Sequence, residues 1–133
     1  MEGILYTLWD GSMQNKKVLE LCLKSIEWNE RKLPANTLEM QLKKVDEEFE
    51  ELFAAKEPEA KTQELADVFI SMAGICRFCI WKGFAGVAGL LSGFEKYGIS
   101  IEEILQAAEK KLTTIENLNY VIVDGVYRHI AIN

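Results

Sequence analysis

Two short stretches hold the residue types that could do chemistry. In KKVDEEFEELFAAK, Lys43 to Lys56, five acids fall within six positions: Asp46, Glu47, Glu48, Glu50 and Glu51. Thirteen residues beyond Glu51, ELADVFISMAGI sets Glu64 and Asp67 at the start of an apolar run. Residues three and four apart share a helix face. Glu48 and Glu51 are three apart, Glu47 and Glu51 four, and Lys44 precedes Glu47 and Glu48 on the same side. This group flanks an apolar stripe of Leu38, Leu42, Val45, Phe49 and Leu52, while Asp46 and Glu50 face solvent. Glu64 and Asp67 repeat the spacing, and Asp67 is followed directly by Val68, Phe69 and Ile70. A buried carboxylate is costly unless it is paired, protonated or metal-bound. A short turn at Glu57 to Lys61 makes the two helices antiparallel neighbours and sets Glu48 and Glu51 opposite Glu64 and Asp67. Carboxylates so placed repel one another and raise each other's pKa; a hard divalent ion removes the conflict, and an all-oxygen ligand set favours magnesium or manganese. The competing reading is an ion-pair network in which Lys44 or Arg77 neutralises the acids.

The elements that must position these groups are legible from pattern and punctuation. At 133 residues with 49% apolar content the chain is long enough for one core and is read as a single domain, 1–133. An N-terminal arm, 1–14, precedes a helix from Lys16 to Arg31. Pro34 ends that helix, and Asn36 or Thr37 caps the next, which runs to about Lys56. Pro58 opens a third helix to about Trp81, apolar nearly all round from Leu65 and therefore central. The glycine-rich segment KGFAGVAGLLSGFEKYG reads as a short helix or helical turns, its small residues suited to close packing. Ser100 and Glu103 form a capping box that opens a last helix to about Asn117. The tail, 119–133, alternates around Asp124-Gly125, a hairpin turn signal. The expected fold is all-α, an antiparallel four-helix-type bundle with a short C-terminal hairpin or extended tail.

Composition excludes several classes. A net charge of −6 argues against nucleic-acid polymers and anionic membranes as partners. Arg77, Lys82 and the glycines at 74, 83, 86, 89 and 93 interrupt the one long apolar stretch, which argues against a membrane span. No basic segment precedes a long apolar run at the N-terminus, and Cys22, Cys76 and Cys79 cannot build a disulfide framework, so a cytoplasmic, reducing location is expected. Cys76-x-x-Cys79 lies on the third helix without a second ligand pair, and core packing is favoured over zinc or redox chemistry. The single histidine argues against a ferritin-like di-iron bundle, which needs Glu-x-x-His on two helices.

The paired elements Glu48-x-x-Glu51 and Glu64-x-x-Asp67, with IEWNERKLPANTLEMQLKKVDEEFEEL around the first and ELADVFI around the second, resemble the all-α nucleoside triphosphate pyrophosphohydrolases. These are the MazG-like enzymes and their relatives among dimeric dUTPases and dCTP pyrophosphatases. DGVYRHI is similar to a Gly…His tail in phage-type members. The likeness covers roughly Ile26 to Met72. It implies a helical bundle active as a homodimer or homotetramer, and magnesium, with manganese as a substitute, on Glu48, Glu51, Glu64 and Asp67. It implies hydrolysis of a (deoxy)nucleoside triphosphate to monophosphate and pyrophosphate. Glu48 and Glu47 are the implied catalytic pair, Glu47 as an extra ligand or the group that orients the attacking water. Lys44 and Lys111 are implied at the phosphates, Trp28 at the base as well as in the packing, and His129 at base or phosphate. Relatives often carry an arginine along the last helix, where Leu118 or Asn119 stands here. Two other classes compete: a non-catalytic helical oligomer with a vestigial metal site, and an acidic module that docks a basic partner.

Overall fold

The computed structural model of the chain describes residues 13–95 and 98–130. Of the expected N-terminal arm, residues 1–12 lie outside the described residues, as do 131–133 of the tail; Met13 already belongs to the first helix.

The described residues form five helices and a hairpin: α1 (Met13–Lys32), α2 (Leu38–Ala54), α3 (Pro58–Ile75), α4 (Ile80–Glu95), α5 (Ile101–Ile115), β1 (Tyr120–Val123) and β2 (Val126–His129). They make a mostly helical bundle in which α3 packs against each of the other four helices. Its Leu65, Ala66, Val68, Phe69 and Ala73 are fully buried. The apolar run that follows Asp67 is therefore the centre of the core.

Local chemistry explains most of the boundaries. Thr37 caps α2, its hydroxyl oxygen accepting from the Met40 N–H at 3.2 Å. The Ser100 hydroxyl does the same for the Glu103 N–H at 3.4 Å and opens α5. Pro58 sits in the first turn of α3, where its missing N–H has no intrahelical partner to lose. At the C-terminus of α1 the Asn29 and Leu33 carbonyls, which accept the N–H groups of Leu33 and Asn36, accept a second bond from Arg77 Nη1, at 3.1 Å and 2.8 Å.

Three expectations are corrected. The third helix does not reach Trp81. It ends at Ile75, and the N–H groups of Cys76, Arg77 and Phe78 turn back on the carbonyls of Ala73, Gly74 and Ile75. Cys76 and Cys79 therefore lie at a bend between α3 and α4 rather than on one buried helix. The glycine-rich segment, through Glu95, lies in a 16-residue helix, α4, that starts at Ile80. A Cβ at Gly83 would meet the Cys76 backbone nitrogen at 2.7 Å, so glycine lets α4 fold back against the bend. The inward face of α2 is also rotated from the expected stripe. Gln41, Val45, Glu48 and Leu52 are buried, whereas Leu42 is 41% exposed. Polar contacts cause the rotation: Gln41 Nε2 donates to the Ser71 carbonyl at 2.7 Å, and Gln41 Oε1 accepts from Asn29 at 3.0 Å and Asn36 at 2.6 Å.

The tail forms the hairpin. Val123 pairs with Val126 across Asp124 and Gly125, both of positive φ (53° and 76°), as a two-residue turn requires. β2 lies against α2, Val126 is buried, and the Tyr127 hydroxyl accepts from the Ala35 N–H at 3.0 Å. No helix among the described residues is long and apolar enough to cross a membrane.

Candidate metal centre

The three-residue turn between α2 and α3 lays the two acidic helix faces together. Glu48 and Glu51 from α2, and Glu64 and Asp67 from α3, each offer a carboxylate oxygen within 4.8 Å of the others. Glu48 is buried, Glu64 and Asp67 are half-buried, and Glu51 is exposed. The cluster thus opens to solvent on the Glu51 side and deepens toward Glu48.

Lys44 Nζ lies 3.1 Å from Glu48 Oε1 and 3.8 Å from Glu47. Lys111, reaching over from α5, lies 3.2 Å from Asp67 Oδ1. Even with these cations the acids are pushed toward protonation. Burial, opposed by Lys44 and reinforced by Asp67 and Glu51, raises the Glu48 carboxyl to about 7. Burial also raises Glu64, with the Asp67 and Glu51 charges adding to it. Asp67 is raised because burial outweighs the Lys111 ion pair.

Two oxygens bear on the choice between a metal site and an ion-pair network. Glu48 Oε2 and Glu64 Oε2 are buried and have no hydrogen-bond partner among the described residues. The ion pairs that Lys44 and Lys111 make with Glu48 and Asp67 leave these two atoms unmet, and an unmet buried acceptor is destabilising. Arg77, the other cation considered for such a network, is committed elsewhere, to the end of α1 and to Asn29 Oδ1 at 3.0 Å. Four oxygen donors from two helices, two of them with an unmet atom, suit a hard divalent cation.

Next to the cluster lies a cleft of about 260 Å³. Lys44, Glu48, Glu51, Asp67 and Lys111 line it on the charged side. Trp28, Ile70 and Ile115 give it apolar surface, Asn29, Asn36, Gln41 and Ser71 give it amides and a hydroxyl, and Tyr120, Tyr127 and His129 come from the hairpin. Trp28 is held in the core, its ring edge-on to Tyr120 at 5.4 Å, and its indole Nε1 is buried without a partner among the described residues. His129 is an exposed residue of the lining.

Glu47 is the expected site residue that the structure sets apart. It is outside the four-carboxylate group and is gripped instead by Arg128 of β2, at 2.5 Å and 3.3 Å. Arg128, Tyr120, Tyr127 and the amides of Asn29, Asn36 and Gln41 do not stand out as site residues in the sequence. The Asp124-Gly125 turn marks the hairpin, but nothing local says that the hairpin docks on α2.

Compared with known protein families, curated proteins and solved structures, the chain matches none.

Proposed function

We propose that this chain is a magnesium-dependent nucleoside triphosphate pyrophosphohydrolase of the MazG-like kind, working as a homodimer or homotetramer in a reducing, cytoplasmic setting. The observation that carries the reading is the four-carboxylate cluster itself, held within 4.8 Å with the Glu48 and Glu64 Oε2 atoms buried and unmet. The cleft supports it, because its lining joins three of those carboxylates to two lysines, apolar side chains and amides, the mixed surface that a small-molecule site needs. The sequence likeness over Ile26 to Met72 supplies the reaction class.

In this reading Glu48, Glu51, Glu64 and Asp67 hold magnesium, and manganese can replace it. A divalent ion bound there supplies charge neutralisation for phosphate oxygens and acidifies water. The chain's own groups do the rest. Lys44 and Lys111, each now paired with a site carboxylate, are placed to contact phosphate oxygens. Trp28, Tyr120 and the amides of Asn29 and Gln41 border the end of the cleft where the nucleoside would lie. Water adds across the α–β anhydride, releasing monophosphate, pyrophosphate and a proton. Positioning and charge stabilisation, rather than a covalent intermediate, suffice for such a transfer.

The Lys44–Glu48 and Lys111–Asp67 pairs favour one rival, a non-catalytic bundle whose acids are simply salt-bridged. That rival accounts for the paired oxygens and leaves the two unmet ones unexplained. The deciding experiment is release of pyrophosphate from a panel of ribo- and deoxynucleoside triphosphates with magnesium, with manganese and with EDTA. Metal-dependent release, with monophosphate as co-product and loss of both in Asp67→Asn, is the expected result. No release from any triphosphate by the folded protein overturns the assignment in favour of the rival.

A further inference from the structure

One cation beside the site comes from the tail rather than the helices: Arg128, outside the lining of the cleft, is linked to it through Glu47 and Lys44. We propose that Arg128 is a specificity-determining residue that contacts the outer phosphates of a bound polyphosphate, and that Glu47 competes with those phosphates for its guanidinium. This rests on the phosphohydrolase reading of the carboxylate cluster.

Arg128 meets Glu47 through two nitrogens, Nη2 to Oε1 at 2.5 Å and Nη1 to Oε2 at 3.3 Å. Glu47 lies 3.8 Å from Lys44, and Lys44 lies 3.1 Å from Glu48. A line of alternating charge thus runs from the hairpin into the cluster. The guanidinium fork that fits a carboxylate fits a phosphate equally well. The pair is 44% and 32% exposed, and a pair in that setting stabilises little, so a multiply charged phosphate can displace Glu47. The hairpin holds Arg128 in place for this exchange. Val126, two residues back on the same strand face, is buried and lines the cleft, and the Tyr127 hydroxyl is fixed on the Ala35 N–H. Two-residue-turn geometry at Asp124 and Gly125 fixes the strand register that sets Arg128 over α2. Reading the outer phosphates from a separate element separates a triphosphate from its monophosphate product.

The alternative is that Arg128 and Glu47 merely clip the hairpin to α2. Calorimetric titration of the full chain with magnesium alone, and then with pyrophosphate and with inorganic phosphate in saturating magnesium, separates the two. In Arg128→Ala, pyrophosphate binding should weaken about tenfold or more, with magnesium binding unchanged and inorganic phosphate affected less. Arg128→Lys should recover only part of the loss. Glu47→Gln should bind pyrophosphate more tightly than the wild type. Arg128→Ala in the Glu47→Gln background should still weaken it, showing that the loss is a lost contact and not repulsion from a freed Glu47. If Arg128→Ala binds pyrophosphate as the wild type does, or Glu47→Gln weakens binding as Arg128→Ala does, the inference falls while the metal site stands. If the wild type binds no magnesium, the metal site falls and this inference with it. Circular dichroism of each variant confirms the fold, and Glu47→Gln decides the matter should Arg128→Ala fail to fold.

Discussion

Glu48 concentrates the energetics of the site in one side chain. One oxygen faces Lys44 at 3.1 Å, and the other is buried without a hydrogen-bond partner among the described residues. Its carboxyl is raised to about 7 from an ordinary 4.5, and Glu64 and Asp67 are raised with it. A folded-state value above the unfolded one means that folding is favoured while the group stays protonated, and that this contribution fades as pH rises from about 4.5 through about 7. Protein held in EDTA should therefore melt at a lower temperature at about pH 8 than at about pH 5.5. Magnesium should reverse the trend, since its ligands must be deprotonated and its stabilisation grows with pH. A chelated melting temperature that is flat or rises over that interval would show that the three acids are not held under strain. The same physics gives the signature of Glu48→Gln. Catalytic turnover should fall by about a hundredfold or more, the scale of effects seen when a metal's surroundings are disturbed. The chelated protein should nevertheless melt higher than the wild type at pH 8, because a buried charge has gone. Magnesium should no longer raise the melting temperature appreciably. A variant that is both inactive and less stable in EDTA would point to a packing defect rather than a lost ligand.

At the scale of elements, the bend between α3 and α4 is where a local rule gives way to packing. Apolar periodicity continues through Cys76 to Trp81, so a single helix is what the sequence pattern alone supports. The structure breaks it because α4 must fold back, with the Gly83 Cα so close to the bend that an added Cβ would lie 2.7 Å from the Cys76 nitrogen. Gly83→Ala should thus destabilise by about 1–3 kcal/mol, the usual effect of forcing an extra methyl into a filled space. Gly89, on the same helix, is exposed, and a methyl group added there would meet nothing within 4 Å. Gly89→Ala should stabilise by about 1 kcal/mol through helix propensity. Thermal melts of the two variants should move in opposite directions; a shared direction would mean α4 does not pack as described. The contrast shows what sequence could carry. Caps at Thr37 and Ser100, the proline at 58 and the Asp124-Gly125 turn are local signals, and each marks the element it predicts. The four acids were legible because two three-residue spacings and one short turn fix where they meet. Arg128 and Glu47, 81 positions apart, carry no such signal. Gln41 was hidden as well, because its burial depends on Asn29, Asn36 and the Ser71 carbonyl, which come from other elements.

At the scale of the molecule, the surface carries apolar residues that the proposed oligomer would cover. Leu42 is 41% and Phe53 is 76% exposed, and Phe49 stacks on Phe53 at 6.0 Å, so α2 carries an outward apolar face adjoining the one that holds Glu48. Trp81 is 58% exposed. Soluble chains leave scattered apolar residues outside; the two on one face of α2, Leu42 and Phe53, are the contact surface we propose for the oligomer. A net charge of −6 opposes the approach of a second copy, so an apolar patch must supply the attraction. Burying α2 from its outer side would also hold the helix that carries Lys44, Glu48 and Glu51, which ties assembly to the stiffness of the site. Light scattering should accordingly give a molar mass of two or four times 15.1 kDa, rising toward the larger species as added salt screens the charge. Replacing Leu42 and Phe53 together with glutamate should return it to 15.1 kDa with helix content retained. Turnover in that variant should fall with the loss of assembly, although neither residue lines the cleft. A wild-type mass of 15.1 kDa at high protein concentration would end the oligomer proposal, and full turnover in a monomeric variant would show that the four carboxylates are positioned by α2 and α3 alone.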